Sequence, residues 1–221
     1  MDLGVAFKKP FSNITNLIIG IILSLIPIIN VLTIPGYLLR VAKKTMSKDK
    51  SLPNFSNFGE LVVDSIKAII VMFIHGIILG VIAFILALIP FVGPIIAIIW
   101  TIVYAFVMIS GMMTLADTKS IGAALNVPAL FKKAKRASFI IAVIVGAIIV
   151  GIIQAIITAI FGSVAFAQLL PMFMGQTIDI VTVMNAMMSL LATAFVAVIV
   201  MVIVGYILNI FYVTIVAESY K

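Results

Sequence analysis

The sequence has no cysteine and only one histidine among its 221 residues. The absence of thiols excludes disulfides, cysteine nucleophiles and cysteine-ligated metal or iron–sulfur centres. A single imidazole disfavours a histidine-based metal site. Acidic residues are also scarce: the seven present lie mainly outside the apolar blocks, so no carboxylate pair is placed for general acid–base catalysis. We therefore expect a protein that is not an enzyme and that uses no cofactor or metal ion.

Charged residues of both signs are rare, and apolar residues replace them. Only 10% of the residues are charged, 65% are apolar, and the mean hydropathy is +1.40. Soluble domains average about 25% charged and about 45–50% apolar residues. The composition therefore predicts an integral membrane protein, with an all-α fold in the form of a polytopic bundle of transmembrane helices.

Uncharged stretches long enough to cross a bilayer divide the chain into spans and loops. They predict five to six membrane helices in a single membrane domain: a short N-terminal helical hairpin plus four full spans, with amphipathic cytoplasmic segments. The predicted order is a lead over 1–13, an apolar hairpin or kinked span over 14–39, a basic cytoplasmic loop over 40–65, two spans over 66–116, a second basic cytoplasmic loop over 117–137, a span over 138–161, an external loop over 162–183 and a span over 184–217.

The first apolar block, residues 14–39, has two interpretations. As one helix, its 26 residues would rise about 39 Å, which exceeds a hydrocarbon core of about 30 Å. It is therefore either a single tilted or kinked span, disturbed at Pro27 and again at Pro35-Gly36, or a hairpin that turns near residues 25–30. The tripeptide Leu-Ile-Pro at residues 25–27 recurs at 88–90, inside a block long enough to require a turn. This repeat favours the hairpin.

The basic residues predict the orientation in the membrane. They concentrate in the two basic loops and near both ends of the chain, and short basic loops stay on the cytoplasmic side. We therefore expect a multi-pass protein of the cell membrane with both termini in the cytoplasm. Juxtamembrane cations attract anionic lipid headgroups on the cytoplasmic leaflet, and the chain lacks a nucleic-acid recognition fold. The predicted headgroup contacts are Arg40, Lys43, Lys44, Lys132, Lys133, Lys135 and Arg136.

Three charged residues at the end of the first basic loop and just after it are at helical spacing. Glu60, Asp64 and Lys67 are four and three residues apart, which places them on one face of a helix. We interpret this face as solvated at the membrane surface rather than as a catalytic carboxylate pair.

A few polar residues interrupt the apolar blocks, namely His75, Asn30, Gln154 and Asn209. Ionisable groups inside a membrane are candidates for function, so these four residues define a candidate intramembrane polar site. The alternative is that each side chain only forms a hydrogen bond to a neighbouring helix.

Small residues recur every four positions in the span over 138–161, at Ala147, Gly151, Ala155 and Ala159. Such a packing stripe allows another helix to approach closely, so we expect this helix at the centre of the bundle. The stripe also leaves a homo-oligomer or a membrane partner open as alternatives.

One set of short motifs resembles a known family. It is a prokaryotic membrane protein family listed as a domain of unknown function, number 4013. The resemblance implies a multispanning membrane protein without an established activity, and it transfers no site residue. The motifs are Gly36-Tyr37-Leu38-Leu39-Arg40, a basic turn, Leu52-Pro53-Asn54-Phe55 and Gly59, flanked by Leu25-Ile26-Pro27 and Glu218-Ser219-Tyr220.

The sequence thus predicts a non-enzymatic membrane protein whose basic cytoplasmic face engages anionic lipid or a cytoplasmic partner. The alternative function is a transporter or channel for a small or lipidic solute, formed around the intramembrane polar residues.

Overall fold

The computed structural model describes residues 2–173 and 180–220. Within these residues there are nine α-helices, one 3-10 turn at Lys9–Ser12 and no β-strand, so the all-α prediction is confirmed. The helices are α1 (Leu3–Lys8), α2 (Ile14–Leu25), α3 (Pro27–Met46), α4 (Phe58–Ala87), α5 (Gly93–Thr118), α6 (Ile121–Ala124), α7 (Val127–Ala134), α8 (Ala137–Phe173) and α9 (Ile180–Tyr220).

Four helices, α4, α5, α8 and α9, are long and apolar enough to cross a membrane. The predicted four full spans are therefore confirmed, and the chain is an integral membrane protein. Helices α8 and α9 have 37 and 41 residues. At 1.5 Å per residue they measure about 55 and 61 Å, well above the hydrocarbon thickness of about 30 Å.

The N-terminal apolar block forms a hairpin of α2 and α3. Ile26 separates the two helices in an extended conformation, because the proline that follows disfavours the helical conformation for it. The segments that flank the hairpin lie together at its open end, since the N–H of Leu52, after α3, donates to Oγ of Ser12, before α2, at 2.9 Å. The 12 residues of α2 rise only about 18 Å, so this apolar helix is too short to cross a hydrocarbon core of about 30 Å.

The loops are more helical than the sequence predicts. In place of an external loop over 162–183, α8 continues to Phe173 and α9 begins at Ile180. The uncharged residues 162–173 have no water to bond inside a bilayer, and a helix pairs their backbone groups internally. The sequence also allows Asp179 to cap the following helix, but this residue lies outside the described residues. Helix α3 likewise runs to Met46, well into the predicted first basic loop.

Helix α3 lies at the centre of the bundle and contacts α2, α4, α5 and α9. Helix α8 packs mainly against α9, so the expectation that α8 occupies the centre is wrong. The long helices pair α4 with α5 and α8 with α9, and few contacts among the described residues join one pair to the other. Only 6–22% of the most apolar window of each spanning helix is buried by protein, which leaves the rest for lipid.

Candidate functional site at the basic end

The basic residues within 2–173 and 180–220 all belong to one end of the bundle, which we call the basic end. There α3, α5 and α9 finish, and α4 and α8 begin. The helices between these points carry no charged residue in their membrane-spanning parts. Polar contacts tie the basic segments together, and they join Lys9 to Asp49, Lys43 to Asp117, Lys67 to Lys119 and Lys133 to Tyr220.

A buried carboxylate lies at the centre of the basic end. Asp64 of α4 is only 5% exposed. Its Oδ2 lies 3.3 Å from Lys119 Nζ, at the end of α5, and 4.0 Å from Arg40 Nε, on α3. The interpretation of Asp64 as part of a solvated face is therefore wrong. Burying a charge is costly unless it is paired, so the two cations fix three helices around this carboxylate.

The segment after α3 folds back as an ordered strap, residues 47–57. Tyr37 donates its hydroxyl to the Pro53 carbonyl at 3.1 Å, and its ring stacks on Phe55 with centroids 4.0 Å apart. Arg40 donates to the carbonyl oxygens of Ser56 and Asn57 at 2.6 and 3.2 Å. The motifs around Tyr37 and Pro53 therefore act together as a structural clasp between α3 and the start of α4.

Lys9 is a basic residue that the folded protein buries. It is 1% exposed, and its Nζ donates to Thr45 Oγ1 at 2.6 Å and to the Asp49 carbonyl at 2.7 Å. Burial lowers the pKa of Lys9 to about 8, an effect that nearby Lys44 reinforces and that Asp49 and Glu218 oppose. The lysine thus links the 3-10 turn to the end of α3 as an internal hydrogen-bond donor.

Tyr220 joins three helices at the end of α9. Its hydroxyl bonds with that of Thr114 on α5 and accepts from Lys133 Nζ of α7 at 2.7 Å. Arg136 donates to the Tyr220 carbonyl at 3.2 Å. These contacts hold α7 against the end of the bundle.

The seven predicted headgroup residues therefore fall into two groups. Five have partners in the protein, and these are Arg40, Lys43, Lys44, Lys133 and Arg136. The side chains of Lys132 and Lys135 have neither a hydrogen bond nor an ion pair with any described residue. Both are exposed. Whether the seven residues contact lipid stays a prediction. Lys132 and Lys135 are the two that could bind a headgroup without giving up a contact to another described residue.

Lys132 and Lys135 border an apolar groove between α5 and α7, which we call the α5–α7 groove. Its volume is about 520 Å³. The groove opens to the outside of the bundle, and Phe131 at its edge is 48% exposed. The remaining lining residues are Trp100, Val103, Tyr104, Val107, Val127 and Pro128.

His75 is fully buried between α4, α5 and α6. Its Nε2 lies 2.9 Å from the Ala124 carbonyl, which only accepts, so Nε2–H is the donor. Tyr104 then donates its hydroxyl to Nδ1, also at 2.9 Å. A Cβ on Gly111 would lie 2.8 Å from Nε2, which shows how closely α5 approaches the ring. Both ring nitrogens are thus engaged in contacts that bind α6 to the spanning helices.

The other three polar residues lie elsewhere. Asn30 donates to the Ser24 carbonyl at 2.9 Å, at the tip of the α2–α3 hairpin. Gln154 on α8 lies beside Gly205 of α9, and Asn209 is exposed. No hydrogen bond joins any two of these residues or links one to His75. The intramembrane polar site stays a prediction for which the structure provides no shared contact.

The predicted packing stripe on α8 faces away from the rest of the chain. Ala147, Gly151, Ala155 and Ala159 are all exposed, and nothing lies within 4 Å of a Cβ placed on Gly151. Close packing with α9 occurs instead at Gly146, where a Cβ would lie 2.8 Å from the Tyr212 ring. The expectation of a homo-oligomer or membrane partner at the stripe stays a prediction.

A family model described as "Protein of unknown function (DUF4013)" matches residues 19–162, which is more than half of the chain. Curated proteins and solved structures gave no match. The matched region includes the second half of α2, all of α3, the clasp around Tyr37, the carboxylate of Asp64 and the α5–α7 groove. The resemblance inferred from the short motifs is confirmed, and the chain belongs to the DUF4013 family of proteins of unknown function.

Proposed function

We propose that this integral membrane protein is non-enzymatic, that its basic end faces the cytoplasm of the cell, and that this end engages anionic lipid headgroups of the inner leaflet of the cell membrane. One observation carries the proposal. The described basic residues lie at a single end of the four long helices, and the turn from α4 to α5 at the opposite end has no charged residue. Cationic segments of membrane proteins remain on the cytoplasmic side.

The distribution of partners indicates which cations serve this role. The side chains of Lys8, Lys48, Lys50, Lys132 and Lys135 are exposed and have no ion-pair or hydrogen-bond partner among the described residues. A lysine near an anionic membrane surface contributes about 1 kcal/mol to the attraction. The buried or bridged cations, such as Lys9 and Arg40, are already used to hold the helices together.

Lipid selectivity tests the proposal directly. The full chain is reconstituted in mixed bilayers, and the motionally restricted fraction of spin-labelled phosphatidylglycerol and of spin-labelled phosphatidylcholine is measured by electron paramagnetic resonance. We expect a preference for phosphatidylglycerol that weakens in 1 M salt, where the Debye length falls to about 3 Å. Replacing Lys48, Lys50, Lys132 and Lys135 by glutamine should reduce the preference.

The matched control replaces the same four lysines by arginine, which keeps the charge and should keep the preference. Equal association of the two lipids with the wild-type protein would refute the proposal. A preference that the glutamine variant retains in full would refute the role assigned to these lysines.

A further inference from the structure

The α5–α7 groove combines an apolar floor with two cations at one side. We propose that it is a binding site for one anionic phospholipid, with the phosphate at Lys132 and Lys135 and an acyl chain along α5 towards Trp100. This inference rests on the proposed function and makes it specific, because it assigns the lipid to one place on the basic end.

The two lysines are positioned to share one anion. Lys132 lies in the last turn of α7, and Lys135 follows three positions later as the C-cap residue, still in a right-handed helical conformation, so the two side chains leave the end of the helix on the same side. Both belong to the lining of the groove, and neither side chain has a partner among the described residues. Their neighbour Lys133 points elsewhere, since its Nζ bonds with the Tyr220 hydroxyl. A phosphate placed between Lys132 and Lys135 would therefore meet positive charge that the protein does not neutralise.

The floor of the groove suits a hydrocarbon chain. The polar hydrogens of its aromatic residues are already used, because Trp100 Nε1 donates to the Leu79 carbonyl at 3.3 Å and Tyr104 donates its hydroxyl to His75 Nδ1 at 2.9 Å. The two rings lie 4.9 Å apart. Trp100 and Val103 present carbon surface to the groove, and Tyr104 and Val107, which are 1% and 2% exposed, form its buried wall. A ligand that fills the groove needs an apolar tail and an anionic head, and a phospholipid has both.

The length of the groove fits one leaflet. The Ser110 hydroxyl donates to the Leu130 carbonyl at 3.3 Å, which fixes the level of α7 along α5 close to the lysines. From Ser110 to Trp100, α5 rises about 15 Å. That distance equals half of a hydrocarbon core of about 30 Å. A headgroup at the lysines thus places the acyl chain beside Trp100 within a single leaflet.

Trp100 is the only tryptophan of the chain, so its fluorescence reports on the groove alone. The full chain is placed in phosphatidylcholine bilayers that contain a small, equal fraction of either brominated phosphatidylglycerol or brominated phosphatidylcholine, with bromine in the acyl chain. We expect brominated phosphatidylglycerol to quench Trp100 with an apparent affinity about fivefold higher, the scale of one lysine near an anionic headgroup. The double variant Lys132→Gln/Lys135→Gln should lose this difference.

The matched control is Lys48→Gln/Lys50→Gln, which removes the same charge from the basic end at two exposed lysines outside the groove. It should keep the wild-type difference in quenching. Equal quenching by the two brominated lipids in the wild-type protein, or equal losses in the two double variants, would overturn the assignment of the groove. If the spin-label preference for phosphatidylglycerol persists while quenching shows none, the groove assignment fails and the general proposal stands. If both preferences are absent, the general proposal fails as well.

Discussion

Replacement of Gly36 by alanine tests the packing of the central helix. Gly36 lies where α3 crosses α4. A Cβ at this position would lie 2.3 Å from the Leu61 carbonyl oxygen and 2.7 Å from Ser65 Oγ. The Gly36 N–H also donates to Ser65 Oγ at 2.8 Å in a buried site. The carbonyl oxygen belongs to the α4 backbone, so a side-chain rotation cannot relieve the contact and the two helices have to separate.

The expected loss can be worked from its parts. Overpacking of a buried site costs about 1–3 kcal/mol, and the weakened hydrogen bond adds about 1 kcal/mol. Alanine returns about 1 kcal/mol through its higher helix propensity. We therefore expect Gly36→Ala to lower the free energy of unfolding by about 1–3 kcal/mol.

The measurement is a titration with sodium dodecyl sulfate in mild detergent, followed by the fluorescence of the single tryptophan. Gly80→Ala is the matched control, because Gly80 lies in α4 and has nothing within 4 Å of its Cβ position. It should leave stability unchanged or raise it by up to about 1 kcal/mol through helix propensity. Coincident unfolding curves for Gly36→Ala and Gly80→Ala would refute the close approach of α3 and α4.

Three further predictions concern other parts of the molecule. The pKa of Lys9 is lowered from 10.5 to about 8 in the folded protein, so between these pH values the unfolded chain binds more protons than the folded one. The free energy of unfolding of the wild type, relative to that of Lys9→Met, should therefore rise from pH 8 to pH 10.5. A difference that stays constant over this range in the dodecyl sulfate titration would contradict the prediction. Gly146→Ala should destabilise the protein by about 1–3 kcal/mol and Gly151→Ala should not, since only a Cβ at Gly146 would meet a tyrosine ring. If Gly151→Ala proved the more destabilising of the two variants, α8 would present a different face to α9. In this cysteine-free chain, Lys48→Cys should react with a membrane-impermeant maleimide from the cytoplasmic side and Phe91→Cys, whose native side chain is 96% exposed, from the outside; labelling of both from one side would disprove the orientation.

The spans were predictable because a charge inside a bilayer is costly, so long uncharged blocks mark the membrane helices without knowledge of their neighbours. The hairpin of α2 and α3 was accessible for a similar reason, since Pro27 acts on the residue directly before it. Such local effects do not depend on how the helices are arranged. The end of α8 was harder to place, because a glycine or proline in an apolar segment does not by itself end a helix in lipid.

The contacts of the basic end were not predictable in the same way. Asp64 appeared to lie on a solvated face, because its partners Arg40 and Lys119 come from segments far away in the chain. Lys9 belongs to the short lead before the first apolar block, and nothing near it in sequence indicates its burial against Thr45. Tyr220 appeared only in a motif that flanks the family resemblance. Pairing between distant segments requires the fold.

The packing stripe on α8 shows a second limit. A period of four residues places Gly151 and Ala155 on one face, but the period does not say which face meets another helix. In the structure that contact belongs to Gly146, five residues before Gly151. The α5–α7 groove was not predictable for the same reason, since it depends on how α7 packs along α5 and not on a recognisable motif.

The pairing of α4 with α5 and of α8 with α9 has a mechanical consequence. Both pairs are anchored at the basic end, and few contacts among the described residues join them beyond it. A change in the angle between the α4–α5 pair and the α8–α9 pair would therefore break few side-chain contacts. Helices of about 55–61 Å must tilt to fit a bilayer of about 30 Å, and a thinner bilayer demands more tilt. We therefore expect the angle between the α4–α5 pair and the α8–α9 pair to change with membrane thickness, while α3 keeps its position between them.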